Sequence, residues 1–473
     1  MTTYSLTLRE DHMAQLQAHL LRPDGCEHVA YMLCSEARAS ADPWDRETHR
    51  KFLSCEVISV SDDNVVESTP HLITWRTTSF MAALKRAKAR NQFVVIVHNH
   101  STGMVDFSAQ DDANERDLIE LAMKRNGPDE SILSMILTAD GLLGGRIWLH
   151  PNPKGHSPLR LIRVIGKDFR LHYPGRGRGV TPAAFHRQAL AFGQALNQDL
   201  ANLRVAVVGC GGTGSAVAAL LARLGVGQLV LIDNDVVDKT NLNRLHGARQ
   251  ADADAMLPKV IAVARSITEM GLGVRAVPIE AWVGDPGCRD ALRSCDLIFG
   301  CTDDNEGRLF LSRFSFYYLT PLMDVGLAIE VSTGEPPEVK CLDGRVTVVV
   351  PSQPCLSCRG IIDSNAAADE ALRRTNPNEY TKRKAEAYVA GEGDPRPAVV
   401  TFTTEVATMC VNEMLQRIQA FRGPNGAVNQ RLRKFHLAED FRPGSRPTPG
   451  CRICDDNAIW GRGDVEPFLD RIT

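Results

Sequence analysis

Arg204-Val-Ala-Val-Val-Gly-Cys-Gly-Gly-Thr-Gly-Ser-Ala-Val-Ala218, followed by Leu229-Val-Leu-Ile-Asp233, is the stretch on which the fold turns. An apolar run, Val205 to Val208, ends in glycines. Val217, Leu220, Leu221 and Leu224 then recur at helical spacing, and a second apolar run ends at Asp233. This order predicts strand, glycine turn, helix and strand. Gly209, Gly211, Gly212 and Gly214 allow a tight turn and close backbone approach to a phosphate, and the helix behind them aims unpaired N–H groups at it. Asp233 is placed to accept hydrogen bonds from ribose hydroxyls. Taken alone, the stretch fits a nicotinamide or flavin dinucleotide, another nucleotide, or a glycine turn kept for packing.

The residues downstream change that balance. Asp235, Asn241, Arg244 and Lys259 are followed by a third apolar run, Leu297 to Phe299, and by Gly300-Cys-Thr-Asp303-Asp-Asn-Glu-Gly-Arg308. Hydride transfer has no use for such a set. Arg244 and Lys259 suit the β- and γ-phosphates and Asp303 suits Mg²⁺, because phosphoryl-type transfer is mostly positioning and charge compensation.

The set resembles the adenylation domain of the ubiquitin-activating, molybdopterin-synthase and thiamine-biosynthesis adenylyltransferases. Their motifs are GxGGxG, an Asp ending the next strand, NxxR, a lysine, and CTD(N) with an Arg five residues past the Asp. The resemblance covers residues 181 to 460 and implies a Rossmann-like, doubly wound α/β domain over residues 199 to 473 that uses ATP and Mg²⁺. The spacing from Asp303 to Arg308 carries the metal role to Asp303 rather than Asp304. Upstream, Phe185-His-Arg187-Gln188 resembles the family's Arg-Gln segment, whose arginine enters the nucleotide site of the other subunit. Arg187 then implies a homodimer.

Composition excludes other classes. Hydrophobic residues at 44% and charged residues at 23% describe a globular chain, and 473 residues suffice for two or three cores. A net charge of -3 leaves no basic footprint for nucleic acid. The N-terminus has no basic segment leading into an apolar core, and no apolar run approaches membrane-spanning length, so a cytoplasmic protein is expected. Thirteen cysteines, an odd number, do not make a disulfide framework.

Residues 1 to 165 read as a domain of their own. Residues 7 to 21 have helical spacing (Met13, Leu16, Leu20), and Val29 to Leu33 reads as a strand. A second strand, Phe93 to Val97, leads into His98-Asn-His100, with Ser108 and Asp111 beyond. Two histidines separated by one residue on a strand point the same way, and a carboxylate ten or so residues on makes three zinc ligands with an open fourth position. The pattern resembles the JAMM (JAB/MPN) metalloprotease motif, HxHx(7)Sx(2)D. That resemblance implies a catalytic zinc on His98, His100 and Asp111, with Glu27 as general base and Ser108 donating to the developing oxyanion. Glu36, which follows the apolar run, is the other candidate base. The proline common after the second histidine is Ser101 here, a departure that touches loop shape rather than ligands.

Prolines 151, 153, 158 and 174, with Gly175-Arg-Gly-Arg-Gly179, predict a connector, continuing as a linker and helix over residues 166 to 198. Arg345 to Val350 reads as a strand, followed by Cys355 and Cys358; Cys451 and Cys454 form a matching pair near the C-terminus. Two CxxC pairs predict a structural four-sulfur zinc, with a redox pair as the rival. The polar stretch at residues 363 to 398 corresponds to the crossover loop of the activating enzymes but holds no cysteine, and Cys410 lies in an amphipathic helix. Adenylation is therefore expected, with thioester formation open. Together the two resemblances imply a peptidase fused to an adenylyltransferase, both acting on the C-terminal glycine of a ubiquitin-like protein, with a conjugating enzyme as a further partner. Sulfur-carrier activation for cofactor biosynthesis shares every motif, and a non-catalytic scaffold is the alternative of another class.

Overall fold

Tyr4, Leu6 and Leu8 alternate with Ser5 and Thr7, a strand period rather than a helical one. The computed structural model accordingly opens on strand β1 (Thr2–Arg9) before helix α1 (Glu10–Leu20), so the helix expected from residue 7 begins later; Met13, Leu16 and Leu20 are buried on it. The structure describes residues 2–101, 103–152, 155–174, 180–385, 397–455 and 457–465.

Next come β2 (Val29–Ala39), β3 (Thr48–Ser59), the hairpin β4 (Val65–Thr69) and β5 (Leu72–Trp75), α2 (Thr77–Ala89), β6 (Phe93–His100), α3 (Ala109–Asn126), β7 (Ile132–Thr138) and β8 (Leu143–Trp148). Much of the stretch expected to be a connector is instead structure: β9 (His156–Pro158), β10 (Leu161–Ile165) and β11 (Phe169–His172). The prolines frame the apolar residues Leu159, Leu161, Ile162, Val164 and Ile165, all buried, and β10 lies parallel to β1 in register Ser5↔Leu161. The first sheet runs β11-β10-β1-β3-β2-β6-β7-β8-β9. The glycine-arginine run 175–179 lies outside the described residues.

The second half continues with α4 (His186–Asn202), β12 (Arg204–Val208), α5 (Gly212–Leu224), β13 (Gln228–Ile232), α6 (Gln250–Asp254), α7 (Lys259–Glu269), β14 (Arg275–Ile279), α8 (Arg289–Ser294), β15 (Leu297–Gly300), α9 (Asn305–Tyr317), β16 (Leu322–Val331) and β17 (Val339–Val349). It ends in α10 (Ser364–Thr375), α11 (Pro377–Ala385), α12 (Val400–Gln419), β18 (Gln430–Lys434) and β19 (Glu439–Phe441). The polar stretch expected as a crossover loop thus forms α10 and α11, with residues 386–396 outside the description.

The second sheet has the order β14-β13-β12-β15-β16-β17-β18-β19, parallel from β14 to β16 and antiparallel beyond. Chain order reverses between β12 and β15, the switch point at which doubly wound sheets open a crevice at their carboxyl ends. The glycine turn leaves β12 there, and Cys301-Thr302-Asp303 leaves β15 beside it.

The two sheets share a core. Ala37, Trp44, Leu53 and Ile165 pack with Ala206, Val208 and Phe314. The C-terminal tail closes the same seam: Trp460 packs, tilted, against Phe316 and lies under the Arg9 guanidinium, and the Gly461 carbonyl accepts from the Ser35 hydroxyl.

Candidate active sites

Gly209 has φ +87°, and a Cβ there would sit 2.7 Å from the Cys301 backbone. At Gly214 a Cβ would sit 1.7 Å from the Gly209 carbonyl oxygen, so this glycine is buried for packing and does not line the crevice. At Gly211 a Cβ would meet nothing within 4 Å; the backbone is bare toward the opening, and Gly211 is the N-cap of α5. The N–H groups of that helix start have no helical acceptors and face a cavity of about 1130 Å³.

Gly209, Gly211, Gly212, Asp233, Asp235, Asn241, Arg244, Lys259 and Asp303 all line this cavity. Lys259 Nζ is held 2.7 Å from Asp235, and the Arg244 guanidinium contacts Asn243 at 3.0 Å. Asp233 accepts from the N–H groups of Cys210 (2.6 Å) and Asp235 (2.8 Å); burial, the larger effect, raises its pKa. The two adjacent aspartates of the CTD motif both line the cavity but are held differently. Asp304 is the N-cap of α9, accepting from Gly307 N at 2.7 Å, whereas Asp303 is exposed on the cavity wall. Arg187 is exposed near the start of α4 and does not line the cavity of its own chain.

Some cavity residues had no signal in the sequence. The Arg374 guanidinium lies 3.8 Å over the Trp282 ring and pairs with Glu306, while Glu370 accepts from Glu306 N at 2.8 Å. Helix α10 is thereby pinned over the mouth. Farther out the cavity runs between β16, β17 and β18, past Gly326, Asp343, Arg345 and Leu432.

In the first sheet, ligand atoms of His98, His100 and Asp111 converge within 4.8 Å of one another. His98 Nε2 is 3.4 Å and His100 Nε2 3.9 Å from Asp111. His100 Nδ1 is 2.9 Å from the Met104 carbonyl oxygen, an arrangement that leaves Nε2 as the metal-facing nitrogen. Burial lowers the pKa of His98, which favours the neutral imidazole a metal needs. The three donors therefore suit zinc. Ser108 caps α3: its hydroxyl accepts from Asp111 N at 3.1 Å and donates to the Asp111 carboxylate at 2.7 Å. Glu27 is buried just ahead of β2, its pKa raised to about 7 by burial first and by the Asp111 charge second. Glu36 is elsewhere, paired with Arg50.

Asn99, between the two histidines, is a further residue the motif does not announce. Its carbonyl oxygen accepts from His28 N at 2.6 Å and its amide donates to the Cys26 carbonyl at 3.1 Å, so one side chain holds the Glu27 loop to the histidine strand. Arg146 does similar work behind Asp111. It pairs with Glu115 at 2.8 Å and with Asp112, and stacks 3.8 Å from Phe107, whose ring is 6.2 Å from that of His98.

The four Sγ atoms of Cys355, Cys358, Cys451 and Cys454 also lie within 4.8 Å of one another. This all-thiol set suits a closed structural zinc site.

A doubly wound sheet with this crevice, joined to a sheet bearing the histidine and aspartate cluster, defines a two-domain chain of JAB–ThiF type. Residues 185–453, over half the chain, match the ThiF family, and residues 9–144 match the prokaryotic homologs of the JAB domain. The chain belongs to the ThiF family and carries a JAB domain ahead of it. It is 29% identical over 159 residues to the SAMP-activating enzyme E1 of Haloferax volcanii, covering 34% of this chain and 54% of that one. To the molybdopterin-synthase adenylyltransferase of Escherichia coli it is 32% identical over 165 residues, 34% of this chain and 60% of that one. The match thus spans little more than half the length of either relative. Among solved structures it is similar to E. coli MccB, with 17% identity, a TM-score of 0.44, and coverage of 60% of this chain and 75% of that one. Among the described residues no helix is long and apolar enough to cross a membrane.

Proposed function

We propose that the chain uses ATP to adenylate the C-terminal glycine of a ubiquitin-like protein, and that its JAB domain is a zinc-dependent peptidase or isopeptidase for the same tail. One observation carries the first half: the bare turn at Gly211, Asp233, Arg244, Lys259 and Asp303 all meet in one cavity, which continues as a groove past Asp343, Arg345 and Leu432. The names of the two relatives, an activating enzyme and an adenylyltransferase, support it.

In this reading the start of α5 receives phosphate oxygens, and Arg244 and Lys259 compensate their charge. Asp303 would hold Mg²⁺, which would supply further charge compensation. The tail lies in the groove with its carboxylate at the α-phosphate. A carboxylate oxygen bonds to the α-phosphorus as the bond from that phosphorus to the bridging oxygen breaks, releasing pyrophosphate. In the other domain His98, His100 and Asp111 would hold zinc, which would supply an activated water and a Lewis acid for the scissile carbonyl. Glu27 takes the proton and returns it to the leaving amine, its raised pKa near the working range of a general base. The Ser108 hydroxyl bonds Asp111 and is available to an oxyanion only by exchanging that bond.

The test is ATP–pyrophosphate exchange with a panel of ubiquitin-like proteins that end in glycine and of the same proteins with that glycine removed. Exchange should need such a partner ending in glycine, and exchange that ignores the partner would sink the reading. Sulfur-carrier activation is the second reading, favoured by the molybdopterin-synthase relative; transfer of sulfur rather than loading of a conjugating enzyme would select it. A scaffold that has lost chemistry should hold zinc at the cysteines alone, whereas the enzyme should hold metal at both clusters.

The homodimer belongs to the same proposal. Arg187 and Leu190, the latter 75% exposed, lie on the first, solvent-facing part of α4, ahead of its break at Gly193. Arg187→Ala and Asp303→Ala chains, each inactive alone, should recover exchange when mixed; a strictly monomeric protein in sedimentation excludes this.

A further inference from the structure

The ladder that pairs β2 with β6 stops short of the candidate base. Its last register pair is Val29 with His98, and Glu27 lies two residues beyond it. The backbone of Cys26, Glu27 and His28 must therefore find its partners outside that ladder, because buried N–H and C=O groups are costly to leave unpaired. All of them are bonded. Asp24 accepts from Cys26 N at 3.0 Å. The hairpin β4–β5 takes Glu27 itself, whose N–H donates to the Thr69 carbonyl at 2.8 Å and whose carbonyl accepts from the Ser68 hydroxyl at 2.7 Å.

Asn99 takes the rest. Its side-chain oxygen accepts from His28 N, its side-chain nitrogen donates to the Cys26 carbonyl, and its own N–H donates to the His28 carbonyl at 3.3 Å. The side chain thus bonds to the residue on either side of Glu27. A primary amide suits this place because it offers a donor and an acceptor side by side, as a peptide group does; aspartate there could accept from His28 but not donate to Cys26. Asn99 is buried, as Glu27 and His28 are. Ser101, standing where the metalloprotease motif often has proline, donates to the Pro70 carbonyl at 2.8 Å. The hairpin turn is thereby tied to the histidine loop as well as to Glu27.

We propose that Asn99 is a positioning residue for the peptidase: placed between His98 and His100, it fixes where the Glu27 carboxylate stands relative to the metal those histidines would hold. Ser68 holds the same stretch from the hairpin side. This rests on the peptidase reading above. A base acts only within hydrogen-bond reach of the water it deprotonates, and a misplacement of about 1 Å costs on the order of a hundredfold in rate. Glu27 is near enough to the ligand cluster to feel the Asp111 charge, so the path of its backbone decides that distance.

The experiment uses the full chain and has two arms. In the metal-free protein, hydrogen–deuterium exchange read by mass spectrometry follows peptides spanning Cys26 to His28. Asn99→Ala should speed exchange there at least tenfold and leave β7 and α12 unchanged. In the zinc-loaded protein the probe is a ubiquitin-like protein carrying a fluorogenic amide on its terminal glycine. Asn99→Ala should lower kcat by about tenfold to a hundredfold, with zinc content and KM unchanged, and should cost nothing further in a Glu27→Ala chain. Ser68 lies on a two-stranded sheet separate from the nine-stranded one, so Ser68→Ala reads the same hold even if the Asn99 change costs the fold. It should lower kcat at least threefold, and Ser68→Thr, which keeps the hydroxyl, should not. Unchanged exchange or unchanged kcat in Asn99→Ala, loss of zinc along with activity, or a further fall in rate in the Glu27→Ala chain each overturns the proposal. A wild type that cleaves nothing sinks the peptidase reading instead, and the exchange arm then decides the hold on Glu27 by itself.

Discussion

Two aspartates adjacent in sequence are held differently, and the consequence can be measured. Asp304 caps α9, so Asp304→Ala should cost about 1 kcal/mol of stability and leave pyrophosphate exchange largely intact. Asp303 faces the cavity, so Asp303→Ala should lower exchange at least a hundredfold without shifting the melting temperature. If the two phenotypes are reversed, the metal belongs on Asp304. In the JAB domain, Glu27→Ala should keep zinc and lose cleavage of a tail-extended modifier, whereas His98→Ala should lose both, because two protein donors hold zinc poorly. Metal content by mass spectrometry beside a cleavage assay separates them. The motif residues were legible because their chemistry is written in short, fixed spacings. Asn99, Arg146 and Arg374 were not, since each matters only through what a distant segment brings to it: the Cys26–His28 loop, Phe107 and α3, and Trp282. The role of Gly214 was misjudged for a related reason, as only the path of the turn shows that its missing Cβ serves the Gly209 carbonyl.

Elements were read well where one period dominates and poorly where breakers intrude. The strand, turn and helix from Arg204 to Leu224 appear as expected, because buried β-branched residues give way to glycine and then to a helical stripe. Strands β9 to β11 were hidden by the prolines around them, although Leu161 to Ile165 is wholly buried against β1. The C-terminal tail is an element of this second kind, short and with its order borrowed. Cys451 and Cys454 tie it to Cys355 and Cys358, and a few residues on Trp460, Gly461 and Asp464 grip Phe316, Ser35 and Arg38. A zinc at the four thiols should therefore fix the tail against the JAB sheet as well as closing its own domain. Cys358→Ser, or prolonged chelation, should speed tryptic cleavage after Arg462 at least tenfold; cleavage as slow as in the wild type would mean the tail docks without the metal.

At the scale of the whole molecule, the shared core and the buried Arg160–Asp296 and Arg163–Asp296 pairs argue that the JAB and ThiF domains are one body rather than two beads on a tether. A fixed pair of sites on one chain has a purpose if one reaction feeds the other. A peptidase that exposes a terminal glycine makes the carboxylate an adenylating site consumes. Under that order, the wild type should support exchange with both the mature modifier and a form extended beyond its glycine, while Glu27→Ala should support it with the mature form alone. Premixing the extended form with an Asp303→Ala chain, whose JAB domain is unaltered, should restore exchange to Glu27→Ala, since only the exposed glycine was lacking. The contrast is measured as initial rates of exchange at equal modifier concentration, and a difference of at least tenfold between the two forms is expected for the variant. Equal rates with the extended form in wild type and Glu27→Ala would mean that the zinc site does not act ahead of the ATP site. Release of modifier from conjugates would then explain why the two domains share a chain, and Glu27→Ala cells should accumulate those conjugates.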